Sequence, residues 1–176
     1  MAKLSLPVGT RDHAQGPASA AVTLVEYGDY ECPHCGAAYP VVKKIQKKLG
    51  LKLRFVFRNF PLNTMHPHAE HAAETAEAAA AQNTFWEMHD WIFEHQDTLE
   101  DPDLFGAVKT LGLDTAKFLA DMKSPAFLAR VKEDFQSGVR SGVNGTPTFF
   151  INGVRHDGAP SYEDLLAALQ AAIPNV

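Results

Sequence analysis

Residues 26–35 read Glu26-Tyr27-Gly28-Asp29-Tyr30-Glu31-Cys32-Pro33-His34-Cys35. They hold the only two cysteines in a chain of 176 residues. A disulfide between Cys32 and Cys35 would close a loop of two residues, which constrains an unfolded chain very little. The pair therefore reads as chemistry. A C-x-x-C at a strand-to-helix junction is the pattern of a thiol–disulfide exchange site. The competing reading is half of a zinc site, which needs four closed ligands. No second cysteine pair exists, and the histidine pairs His66/His71 and His89/His95 lie far from the cysteines in sequence. His68, His71 and Glu74 could form a two-histidine, one-carboxylate set on a helix; the plainer reading is solvated or capping histidines at its start. We assign no metal and no bound cofactor, the dithiol pair being its own redox centre.

The segments around the motif have clear periods. Upstream, Ala21–Tyr27 is β-branched and apolar, a buried strand ending at Gly28. Downstream, Pro33 suits the first position of a helix, where its missing N–H has no partner to lose. That helix runs to about Lys48 and stops at Gly50. Residues 51–60 form a second strand, with Leu53, Phe55 and Phe57 on one face. Residues 66–140 lack strand signals and read as four or five Ala-rich helices, at about 67–82, 84–96, 101–111, 114–121 and 125–139. A hairpin follows over 148–156, around Asn152-Gly153, then a helix over 161–172 with Ser161 as N-cap. Residues 1–19 read as an arm or loop. The order predicts an α/β sheet begun by a βαβ unit and interrupted by a helical insertion.

Composition is that of a soluble globular protein: 45% hydrophobic and 21% charged, with a formal net charge of −5. An acidic balance argues against nucleic acid or an anionic membrane as partner. No apolar run approaches the ~18 residues of a membrane span, and the N-terminal stretch has no signal-peptide core. The expected location is therefore cytoplasmic as written, or periplasmic or otherwise extracytoplasmic if a signal was removed.

The residues also set the roles within the motif. Cys32 precedes the helix and faces its free N–H groups and positive dipole end, so it is the expected exposed, attacking thiol. His34 is the expected side-chain tuner of that thiol. Cys35, one turn in, is the more buried, resolving thiol. Asp29 and Glu31 oppose this, because nearby negative charge raises a thiol pKa; solvent screening would weaken them.

Together with Gly145-Thr146-Pro147-Thr148-Phe149-Phe150, the motif resembles the DsbA-like branch of the thioredoxin superfamily. Pro40, five residues after Cys35, and Glu26, six before Cys32, match family spacings. The resemblance implies a thioredoxin-like fold with a helical insertion domain. Residues 18–62 and 142–176 would form the thioredoxin-like domain, 63–141 the insertion and 1–17 an arm. It further implies that Glu26 is a partly buried acid handling the Cys35 proton, that Pro147 is cis, and that Thr146 presents its backbone to substrate. The function implied is that of a monomeric oxidant exchanging its Cys32–Cys35 disulfide with protein or peptide thiols and served by a redox recycling partner. The rivals are a cytoplasmic reductase or isomerase using the same residues, a glutathione-dependent enzyme, and a metal-binding module of Cys32, Cys35 and histidines.

Overall fold

A computed structural model describes residues 2–174. Met1 and residues 175–176, at the outer ends of the expected arm and core domain, lie outside the described residues. The elements run β1 (His13–Gln15), β2 (Val22–Gly28), α1 (Pro33–Leu49), β3 (Leu53–Asn59), α2 (Ala69–Ala80), α3 (Phe85–Glu94), α4 (Asp101–Thr110), α5 (Thr115–Met122), α6 (Pro125–Arg140), β4 (Thr148–Ile151), β5 (Val154–His156) and α7 (Tyr162–Ala171). The sheet order is β1-β3-β2-β4-β5. β2 and β3 pair in parallel, with Leu24 opposite Phe55 and Glu26 opposite Phe57. A parallel pair needs a crossover, which α1 supplies. β4 lies antiparallel to β2 and turns through Asn152-Gly153 into β5. Both turn residues have positive φ, 47° and 82°, as a two-residue hairpin turn demands. This is the thioredoxin-like α/β fold with its helices α2–α6 between β3 and β4.

Strand alternation distributes the core over both faces of the sheet. Leu24, Phe55 and Phe57 face one apolar layer, which continues through α1, α2 and α3. Val25, Tyr27, Val56 and Phe150 face a second, with Phe60 and Val143. Glu26 follows Leu24 on the first face by the two-residue period, so a carboxyl group enters the larger core.

The sequence reading of the arm needs correction. Residues 13–15 are an edge strand antiparallel to β3, and Lys3 bridges to Val154 at the other edge. The reason is Arg58, whose side chain is 0% exposed on the second face. Its guanidinium donates to Asp12 at 2.8 and 3.1 Å, to the carbonyls of Leu6 and Pro7 at 2.9 and 3.3 Å, and to the Tyr27 hydroxyl at 2.9 Å. A buried guanidinium must find acceptors for its N–H groups, and the N-terminal segment provides them.

Removing one partner of such a pair leaves an uncompensated buried charge, so Asp12→Ala is expected to cost about 3–5 kcal/mol, read from urea denaturation at neutral pH. Burial raises Asp12, but Arg58 and the Gly9 N–H outweigh it and hold the carboxyl below its ordinary value. Its contribution is therefore present above the unfolded-state pKa and lost as pH falls through the lower folded value.

Candidate active site

Cys32 is the N-cap of α1, in extended conformation, and Pro33 opens the helix. The free N–H groups of the first turn thus face the Cys32 sulfur. Its pKa drops from 9.0 to about 5. The largest cause is the hydrogen bond from the Cys35 thiol. Burial works against it, while Thr146 and the backbone N–H groups of Cys35 and His34 add to it. His34 therefore acts on the sulfur through its backbone, its side chain being exposed beside the likewise exposed Pro33. Cys35 is pushed strongly the other way, first by burial, then by its bond to Cys32 and the charge of Glu26.

Cys32 is less open than its place at a helix start suggests, at 3% exposure against 0% for Cys35. The cover comes from the loop before β4. The Thr146–Pro147 peptide is cis, and the Thr146 carbonyl lies 3.4 Å from Cys32 Sγ. A segment 114 residues away in sequence thereby roofs the thiol.

Glu26 is 3% exposed, more deeply buried than the partly buried acid that the resemblance implies. Its Oε1 has no hydrogen-bond partner among the described residues. It borders a cavity of about 10 Å³, lined also by Phe55, Trp86, His89 and Asp90. Burial, and then the negative charge of Cys32, raise its pKa to about 8. A carboxyl group at this value can hold or release a proton near neutrality beside a thiol that keeps its own.

The loop before Cys32 is tied down by residues that sequence reasoning did not single out. Gln96, following α3, donates from Nε2 to the carbonyls of Tyr30 at 2.7 Å and Cys32 at 3.0 Å. Gly36 makes room for it, since a Cβ there would stand 1.9 Å from Gln96 Oε1. Nor do Asp29 and Glu31 point freely into solvent. Asp29 is 1% exposed and bonded to His66, and Glu31 is bonded to His68. His71 pairs instead with Asp101. His68 and His71 thus serve separate carboxylates, and no metal-binding group of three occurs among the described residues. Only a partner's position in the fold could have revealed Gln96 or His66.

A thioredoxin family profile matches residues 9–171. The chain belongs to the thioredoxin family. It is 25% identical to a thioredoxin-like oxidoreductase from Silicibacter pomeroyi, with a TM-score of 0.83 over 93% of both chains. BdbD from Bacillus subtilis shares the fold at a TM-score of 0.85, with 23% identity over 98% of both chains. Among curated proteins the chain is 45% identical over 170 residues to the Na(+)/H(+) antiporter NhaA 1 of Salinispora arenicola. That match takes in 96% of this chain but only 26% of the antiporter. No described helix is long and apolar enough to cross a membrane.

Two outcomes are expected at this site. Glu26→Gln should stabilise the reduced protein at neutral pH, by up to about 3 kcal/mol. The folded pKa is raised, so native Glu26 keeps a proton that the unfolded chain releases. That difference is absent below the unfolded value of 4.5 and grows until pH passes about 8. The stability gained by the variant over wild type should therefore be largest at neutrality and vanish in acid. Gly36→Ala should expel the Gln96 amide and cost about 1–3 kcal/mol for the two lost hydrogen bonds. Gln96→Ala should cost a similar amount, and the double variant no more than either alone.

Proposed function

We propose that this chain is a thiol–disulfide oxidoreductase that oxidises protein or peptide thiols with its Cys32–Cys35 disulfide. The observation that carries the reading is the opposition between the two thiols: Cys32 at about 5 and Cys35 far above its ordinary value. Stabilising the Cys32 thiolate stabilises the reduced form, which makes the disulfide the better oxidant.

The reaction balances as two exchanges. A substrate thiolate attacks Cys32 Sγ, forming a mixed disulfide and breaking the Cys32–Cys35 bond. Cys35 leaves with the electron pair and takes up a proton, which Glu26 is placed to donate. A second substrate thiolate then attacks the substrate sulfur of the mixed disulfide. Cys32 leaves as a thiolate, the substrate gains a disulfide, and two electrons remain in the reduced pair. Cys32 is the better leaving group because its conjugate acid is the stronger. Thr146 and Pro147 form one wall beside the reacting sulfur, and the exposed Pro33 and His34 form another. In this reading residues 18–62 and 142–176 carry the redox chemistry and 63–141 buttress it through Gln96 and the shared core. Continued turnover needs a partner that takes the electrons away. The transport named for the antiporter relatives belongs to proteins of which the matched part is about a quarter, and it is not carried over to this site.

Oxidation of a dithiol peptide by the disulfide form, followed by mass spectrometry, tests the reading. Cys32→Ser should abolish it, whereas Cys35→Ser should accumulate a mixed disulfide on Cys32. Equal activity in Cys32→Ser, or substrate trapped on Cys35, would reverse the assignment.

A further inference from the structure

Asp29 is an unusual neighbour for a thiol that must ionise. Its Oδ1 accepts the backbone N–H groups of Glu31 at 2.8 Å and of Cys32 itself at 3.2 Å. Its Oδ2 accepts the Leu62 N–H and His66 Nδ1, both at 2.8 Å. Four donors on an acceptor-only group fit a carboxylate. Its side chain is 0% exposed, so water screens it poorly, and a second anion nearby opposes the first. The fold nevertheless needs it there, because it shapes the turn that delivers Cys32 to the start of α1.

His66 comes from the loop between β3 and α2 and meets this carboxylate with a side chain only 14% exposed. The groups acting on it are Asp29 from the turn after β2, and Glu31 and Cys32 at the start of α1. All three are acidic. Burial lowers its pKa, but the Asp29 bond and these charges outweigh that and raise it above its ordinary value. The neighbouring His68–Glu31 pair is more open, at 41% and 20% exposure, and so counts for less.

We propose that His66 is a positioning residue of the redox site: it brings the positive charge that balances Asp29, so that the carboxylate fixing the Cys32 backbone and the Cys32 thiolate can both be anions at once. This rests on the exchange reaction proposed above. It also makes the coupling reciprocal, since a thiolate that benefits from the imidazolium must favour it equally.

Two measurements test it. The first is the equilibrium of the Cys32–Cys35 pair with glutathione in His66→Gln, which keeps an N–H for Asp29 and removes the charge. The constant should move about three- to tenfold toward the disulfide, as for a rise of about half to one pH unit in the Cys32 titration. An unchanged constant would overturn the proposal. The second uses the wild-type protein, so it stands even if the variant fails to fold. The His66 ring, followed by NMR against pH, should titrate higher in the reduced protein, where Cys32 is a thiolate, than in the disulfide form. Identical titrations would also overturn the proposal. Failure of the exchange reading looks different, because wild type itself would then not equilibrate with glutathione.

Discussion

The placement of one sulfur at the N-cap of α1 and of the other one turn inside the helix is the constraint on which the rest of the site depends. It turns the Cys35 thiol toward the Cys32 sulfur as a donor. It also forces the two thiols apart: the acceptor becomes the anion and the donor keeps its proton. Burial deepens the split at Cys35, which faces the core, and opposes it at Cys32. There the N–H groups of the first turn and Thr146 make up the loss. The two sulfurs are equivalent in composition and differ in ionisation because of where the helix places them.

Keeping that geometry needs contacts from far along the chain. The roof over Cys32 arrives with β4. The Gln96 clamp arrives from the end of α3, and the His66 charge from the loop before α2. Each is a polar side chain or peptide aimed at the backbone or sulfur of the motif. The segments flanking α2 and α3 thus reach the motif while the helices themselves build the fold. Their apolar faces join the sheet in one layer that contains Cys32 and Cys35 themselves. On the opposite face, Arg58 binds the N-terminal segment to β3 and β2 and completes the edge of the sheet.

Much of this was legible from local pattern. The two-residue period showed β2 and β3, Asn152-Gly153 showed the hairpin, and the breaks at Pro102, Gly112 and Pro125 separated the helices. Cys32, Cys35 and Pro33 followed from a helix start, whereas Glu26 drew notice only through the family resemblance. What escaped were contacts between distant residues. Arg58 gave no sign of its role, because nothing local reveals that Asp12, 46 residues earlier, meets it. Residues 13–15 were too short to signal a strand before their partner was known. Asp29 and Glu31 read as solvent-screened because their histidine partners lie 37 residues on. Cys32 read as exposed because its cover is a loop from the other end of the sheet. His34 drew notice as an imidazole between two cysteines, whereas its contact with the sulfur is through its N–H.

The central claim is that this fold holds Cys32 as a thiolate while Cys35 keeps its proton. The most direct test is the rate of alkylation of the fully reduced protein by iodoacetamide across pH, with the labelled cysteine identified by mass spectrometry. Label is expected to enter Cys32, at a rate that titrates with a midpoint near 5. A midpoint near the ordinary thiol value of 9.0, or label entering Cys35 first, would contradict it.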